Sequence, residues 1–234
     1  MNTATLRNRF PVIAVVALAI VVFVGFSQTY YLKVLFHTRS LSLLAQVHGA
    51  LATLWIALHY TQARLVAAHR VDIHRRLGIF AACVGAVLAA QALNLGIEGA
   101  AAGRAPPERD PLQFLSVPIG TTFVFAAFLV SALALRRKRE WHKRLMFLAT
   151  LSLLIPAAGR MDTMLASFGV PRRTVGLVLT IAFVAWAWLD DWRKRGRVHP
   201  AYRYCGLLLV VSVPLRAWIG MQPWWLPFAH WVVR

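Results

Sequence analysis

Seven long apolar runs take up most of this chain. A helix needs roughly 20 mostly apolar residues to cross a bilayer. The runs at 10–30, 41–65, 77–97, 112–135, 145–161, 174–191 and 203–222 qualify. None alternates strictly between apolar and polar residues, so they predict helices rather than barrel strands. Little of the 234 residues remains for a soluble unit. The expectation is a single membrane domain over 1–234, folded as an all-α, polytopic transmembrane bundle. With 59% hydrophobic residues and a mean hydropathy of +0.60, the composition also lies beyond the soluble range of about half apolar.

The formal charge is +18, from 26 Lys+Arg against 8 Asp+Glu. In a soluble protein that excess would suggest nucleic acid. Here the basic residues sit in short loops between apolar runs, with no aromatic-interleaved basic groove. That pattern marks membrane topology and attraction to anionic lipid headgroups, and no nucleic-acid partner is expected. If the N-terminus is inside, the inner segments hold Arg7 and Arg9; Arg64, Arg70, Arg75 and Arg76; Arg136, Arg137, Lys138, Arg139, Lys143 and Arg144; and Arg193, Lys194, Arg195, Arg197 and Arg203. That is 17 of the 26 basic residues, which predicts N-terminus in and C-terminus out. Trp218, Trp224, Trp225 and Trp231 then fall at the outer interface. Arg7 and Arg9 precede an apolar run from Pro11 to Phe26, as in a signal peptide. No small-residue cleavage site follows, so an uncleaved first span in a bacterial cytoplasmic (inner) membrane is expected. Cys83 and Cys205 both fall within apolar runs, without a CxxC, which argues against a disulfide or a cysteine metal site. The oligomeric state is not legible.

A weak repeat marks the inner side. Asp72-Ile73-His74-Arg75-Arg76-Leu77 opens the third span and Glu140-Trp141-His142-Lys143-Arg144-Leu145 the fifth. A looser copy, Arg197-Val198-His199-Pro200, opens the seventh. Acidic residues favour helix N-termini and basic ones anchor the inner interface, so capping and anchoring account for the repeat. Functionally, His74, His142 and His199 are candidate metal ligands, since three imidazoles suffice for a zinc-like site. The surrounding positive charge works against a cation.

The outer half carries a polar layer. His48 lies seven residues into the second span, about 10 Å from its outer end. Gln91 and Asn94 lie near the outer end of the third span, with Glu98 just beyond, and Arg160 and Asp162 at the outer end of the fifth. Arg216 is roughly 20 Å from the inner surface. Gln28 and Tyr31 end the first span. Pro118, Pro156 and Pro214, each in an outer half, remove helix hydrogen bonds and free carbonyls. Intramembrane polar residues are expensive and tend to be functional. The layer therefore predicts an outward-opening pocket of His48, Gln91, Asn94, Arg160, Asp162 and Arg216, with Asp162 shared between the two arginines. The alternative for Arg160 is to snorkel to the headgroups. His48 and His59 face the same way on the second span but lie about 16 Å apart along its axis, too far to share one ion. They are candidate cofactor residues at two depths, or helix–helix hydrogen-bond partners.

The run His48-Gly49…Trp55…Gln62…Leu65…His74-Arg75-Arg76-Leu77-Gly78 resembles a group of uncharacterised bacterial seven-span membrane proteins. Asp110-Pro111-Leu112…Val117-Pro118-Ile119-Gly120, His142-Lys143-Arg144-Leu145-Met146 and Gly196-Arg197-Val198-His199-Pro200-Ala201-Tyr202 extend the likeness over most of the chain. It implies a fold and no activity. His48-Gly49 and His74-Arg75-Arg76-Leu77-Gly78 also look like pieces of cytochrome b561-type proteins, which hold bis-histidine haem in a helical bundle. In that family the two motifs share one membrane side, whereas His48 here lies near the outer face and His74 at the inner face, so no axial ligands carry over.

Two function classes follow. One is a small permease or sensor whose outer pocket binds an anionic or polar ligand. The other is a redox protein, with haem b or a quinone, suggested by the eight histidines. An assembly factor or membrane enzyme is a third. No Gly-rich phosphate loop, GxSxG, HExxH, HxxH or HxxxH occurs, which weighs against an enzyme.

Overall fold

The computed structural model describes residues 10–38, 40–106, 109–171 and 174–234. It is all-α, with no strand among the described residues. Arg7, Arg9 and Glu108 lie outside them.

Helix α1 (Phe10–Tyr31) widens into a π turn over Ser27–Tyr31. Helix α2 (Leu43–Ala67) starts at Ser42, whose hydroxyl accepts the Ala45 N–H and satisfies one otherwise unpaired first-turn donor. Helix α3 (Val71–Ala101) follows after a three-residue turn in which His69 takes a positive φ of 59°. Helix α4 (Pro111–Ala134) opens with Asp110 accepting the Gln113 N–H and Pro111 in the first turn, where no N–H is needed. Helices α5 (Arg139–Ser152) and α6 (Ile155–Leu165) come next, then α7 (Thr174–Arg195), α8 (Ala201–Gly220) and a short α9 (Trp225–Val232).

Helices α1, α2, α3, α4, α7 and α8 are each long and apolar enough to cross a membrane. Arg139–Ser152 and Ile155–Phe168 pass the same test together, as a pair bent by 40°. The chain is thus built as a multi-pass membrane protein. The third helix begins at Val71, six residues before its apolar run, because Asp72 to Arg76 form a charged first turn. The bend follows Pro156, which lacks the N–H that would bond the Ser152 carbonyl.

Helix α5 is the axis of the bundle. From Arg144 to Ser152 all its residues but Met146 are buried, the signature of a helix surrounded by other helices. It is joined to α4 in a hairpin and packs on α8, α7 and α1. Close packing at two points depends on glycine. A Cβ at Gly25 would lie 2.5 Å from the Ala157 carbonyl oxygen, so α1 and α6 meet backbone to backbone. A Cβ at Gly220 would collide with the Gln113 carbonyl and Ser116, where α8 crosses the start of α4. The α2–α3 hairpin lies at the periphery. Only Trp55 and Leu58 of α2 are fully buried, and Leu43, Leu54, Val66, Ile79, Phe80 and Val87 present an apolar outer surface.

Candidate functional site

The polar groups fall into three places, one at the end of the bundle where α1 finishes and two towards the opposite end.

At the first of these, Arg216 on α8 is 3% exposed, although it carries a full charge. Its Nη1 donates to Thr121 Oγ1 at 2.9 Å and its Nη2 to Ser212 Oγ at 2.8 Å. The two hydroxyls donate in turn to the carbonyls of Val117 and Leu209, so their lone pairs face the guanidinium. Its Nε is buried without a partner. The stem fits because Gly120 has no side chain; a Cβ there would lie 2.7 Å from Arg216 Cγ. Arg160 on α6 lies over the Phe26 ring at 4.2 Å and donates to Thr29 Oγ1 at 3.1 Å and the Pro156 carbonyl at 3.0 Å. It is near enough to His48 to interact with it electrostatically.

The described carboxylates at this end of the bundle are engaged elsewhere. Glu98 pairs with Arg104 at 2.7 Å and Asp110 caps α4. Asp162, expected between the two arginines, instead accepts the Val175 N–H at 3.0 Å. The first turn of α7 has unpaired N–H groups, and a buried carboxylate beside it finds its donor there. No carboxylate among the described residues pairs with Arg160 or Arg216. Of the remaining expected pocket residues, His48 Nδ1 and Gln91 Oε1 are buried and unpartnered, while Asn94 is exposed on α3. Tyr31 bonds Thr53, and the Gln28 carbonyl accepts from Thr38. The two arginines thus occupy separate settings, Arg216 between α4 and α8 and Arg160 between α1 and α6.

Towards the opposite end, His59 and Gln62 of α2, His74 of α3 and His142 of α5 come together. The His74 and His142 rings meet edge to face, 6.4 Å between centroids. His59 interacts electrostatically with His142, and His74 rests on the Gln62 backbone. A hydrogen bond fixes one tautomer. His142 Nδ1 lies 2.8 Å from the Ala132 carbonyl, which can only accept, so this nitrogen carries the proton. The neutral His142 ring therefore keeps an unshared pair on Nε2. Thr150 Oγ1 accepts from the Trp55 indole N–H at 3.2 Å. Thr150 Oγ1 also lies 2.5 Å from His59 Nδ1, and its single proton serves either that nitrogen or the Met146 carbonyl. His74 Nδ1 and both amide atoms of Gln62 are buried without partners.

His199, the third of the expected metal group, stands apart. It packs edge-on against Trp141 at 5.2 Å, and its Nδ1 accepts the Ala201 N–H. Among the described residues no three His, Cys, Asp or Glu side chains are placed to hold a metal ion. His48 and His59 have no common partner. Burial, with Arg144 nearby, pushes the His199 imidazole below its ordinary 6.5.

Next to His199 lies a buried ion network absent from the sequence expectations. Arg144, 2% exposed, donates through Nε and Nη2 to Asp191 of α7. Its Nη1 reaches the Glu140 carboxylate and carbonyl, and its guanidinium lies over Tyr202 at 5.2 Å. Arg195 also pairs with Glu140, and the His199 N–H donates to Asp191. The network ties α5, α7 and the start of α8.

No protein-family model, curated protein or solved structure matches this chain.

Sequence reasoning missed Gln62, Thr150, Thr121, Ser212 and Asp191 as partners. One signal was available. Trp55, His59 and Gln62 are spaced by four and three residues, the stripe of one helix face. The hydroxyl partners carry no comparable signal, because a lone Thr or Ser in an apolar run is usually bonded to its own helix.

Proposed function

We propose that this protein crosses the bacterial inner membrane seven times, N-terminus in, and binds a small anionic or carbonyl-bearing ligand in its outer half, as a permease or sensor would. The topology rests on the bent α5–α6 pair counting as one crossing and on the excess of basic residues in the loops that then lie inside. The site rests on Arg216. A buried guanidinium with two neutral hydroxyl partners, an unpaired Nε and no carboxylate is a costly arrangement in a bilayer unless something negative completes it. A guanidinium fork also matches carboxylate and phosphate geometry.

The test is a thermal-shift series on detergent-purified protein with phosphate, small mono- and dicarboxylates, and chloride at matched ionic strength. One of the oxyanions should raise the melting temperature saturably, as ligand linkage requires. Arg216→Met should abolish that shift, and Arg216→Lys should not restore it. No oxyanion-specific shift, or a shift unchanged in Arg216→Met, overturns the proposal.

A further inference from the structure

Between α4, α8 and the first turns of α5 lies a groove of about 330 Å³. Val124, Phe128 and Leu145 are its buried floor, and Phe123 and Leu208, 72% and 56% exposed, are its rims. On helices long and apolar enough to cross a membrane, such rims open the groove to hydrocarbon. Along α4 the lining runs from Leu135 back to Phe123, about 18 Å of helix at 1.5 Å per residue. One leaflet of a hydrocarbon core roughly 30 Å thick is about 15 Å deep. The groove is therefore apolar and about as deep as one leaflet. A volume of about 330 Å³ spread over that depth leaves the width of a single chain.

One end of this groove is basic. Leu135 and Trp141 both line it, so the turn between them closes that end, and the turn carries Arg136, Arg137, Lys138 and Arg139 in succession. Arg203 stands in the first turn of α8, just before Cys205, which also lines the groove. All five cations are exposed, and none pairs with a carboxylate among the described residues. Glu140, the acid next to them in sequence, is already shared by Lys143, Arg144 and Arg195. Trp141 adds an amphipathic ring, of the kind that settles at the level of lipid headgroups.

We propose that the groove between α4 and α8 holds one acyl chain of an anionic phospholipid, whose phosphate is bound by the cations at its mouth, Arg136 and Arg203 among them. The chain fills the apolar length, and the headgroup supplies the negative charge that the protein does not. Lipid tails are as apolar as the groove, so the chain alone gives no selectivity between lipids. Selectivity comes from the basic mouth, as in other basic pockets between membrane helices. The inference does not depend on the anion site at Arg216, which lies further along α8 beside Gly120.

The experiment counts lipids on full-length, delipidated protein by native mass spectrometry, as phosphatidylglycerol or phosphatidylcholine with the same chains is added. Wild type should retain one phosphatidylglycerol at least tenfold more tightly than one phosphatidylcholine, since basic residues near the surface favour anionic lipid. Arg136→Gln combined with Arg203→Gln should remove that preference. Arg75→Gln combined with Arg76→Gln takes the same charge from exposed positions at the start of α3 and should keep it. Ala127→Trp and Ser131→Phe fill the groove from exposed positions on α4 and should each weaken both lipids, on the order of tenfold, by closing the space for the chain. Glycerol phosphate, a headgroup without a chain, should not compete. Equal retention of the two lipids, the same loss in both Gln pairs, or undiminished retention in either groove-filling variant overturns the proposal. So does competition by glycerol phosphate, because the cations would then bind phosphate without the groove.

Discussion

Replacing Asp191 by Leu tests the buried ion network. Asp191 accepts from Arg144 Nε at 2.9 Å, from Arg144 Nη2 and from the His199 N–H at 3.1 Å. After its removal Arg144, 2% exposed, keeps Glu140 as its sole carboxylate, and that one is shared with Lys143 and Arg195. Breaking one partner out of a buried pair costs about 3–5 kcal/mol, mostly because the other charge is stranded. At roughly 2–4 °C per kcal/mol for a chain of this size, the melting temperature should fall on the order of 10 °C. Arg144→Met combined with Asp191→Leu should regain most of that loss, since removing both charges leaves neither stranded. The assay is size-exclusion recovery of detergent-solubilised protein after heating, for wild type, both single variants and the double variant. The coupling between the two sites is read from that cycle. Asp191→Leu within about 1 °C of wild type, against the loss expected at that slope, would refute the reasoning, as would a double variant no better than the single.

Reporter fusions after Arg139 and after Arg195 should read cytoplasmic and a fusion at Arg234 periplasmic; a periplasmic reading at either inner loop reverses the topology. Gly25→Leu should cost about 1–3 kcal/mol by forcing α1 off the Ala157 carbonyl, seen as reduced thermal recovery. His199 gives a pH effect. Its folded pKa lies below its ordinary 6.5, from burial and Arg144, so the unfolded chain binds the extra proton first as pH falls. Stability from this group is complete above about pH 6.5 and is lost as pH drops towards its folded pKa, where protonation also breaks the Ala201 N–H bond to Nδ1. His199→Gln should flatten the melting temperature between pH 7 and 5.5.

The fold was largely legible because a run of apolar residues long enough to span a bilayer has few alternatives. The start of α3 was not, since the Asp72–Arg76 turn is helical but too charged to register as apolar. At the polar sites, depth could be counted along each helix, but the direction of each side chain around its axis could not. Arg160 and Arg216 were expected in one pocket and found separate partners on α1 and α4. Of the three helix-start histidines, His74 and His142 meet, whereas His199 is held by Trp141 and the Ala201 N–H. His59 lies near them through the α2–α3 hairpin, whose turn aligns Gln62 with Gly78. The Arg144–Asp191 pair spans 47 residues and no periodicity announces it.

The break after Ser152 divides the bent α5–α6 pair into two short rods with a joint between them. The lower rod carries His142, Arg144 and Thr150, and the upper carries Arg160 and Asp162. Asp162 clamps the upper rod to the start of α7, and Arg160 links it to Thr29 of α1. A tilt of the upper rod would therefore move the neighbouring ends of α1, α6 and α7 as one body. With Pro156 at the joint, no continuous ladder of backbone bonds runs from one rod to the next. A change of angle at this joint would leave unbroken the hydrogen bonds that hold the imidazoles below it, His142 to the Ala132 carbonyl and His59 to Thr150.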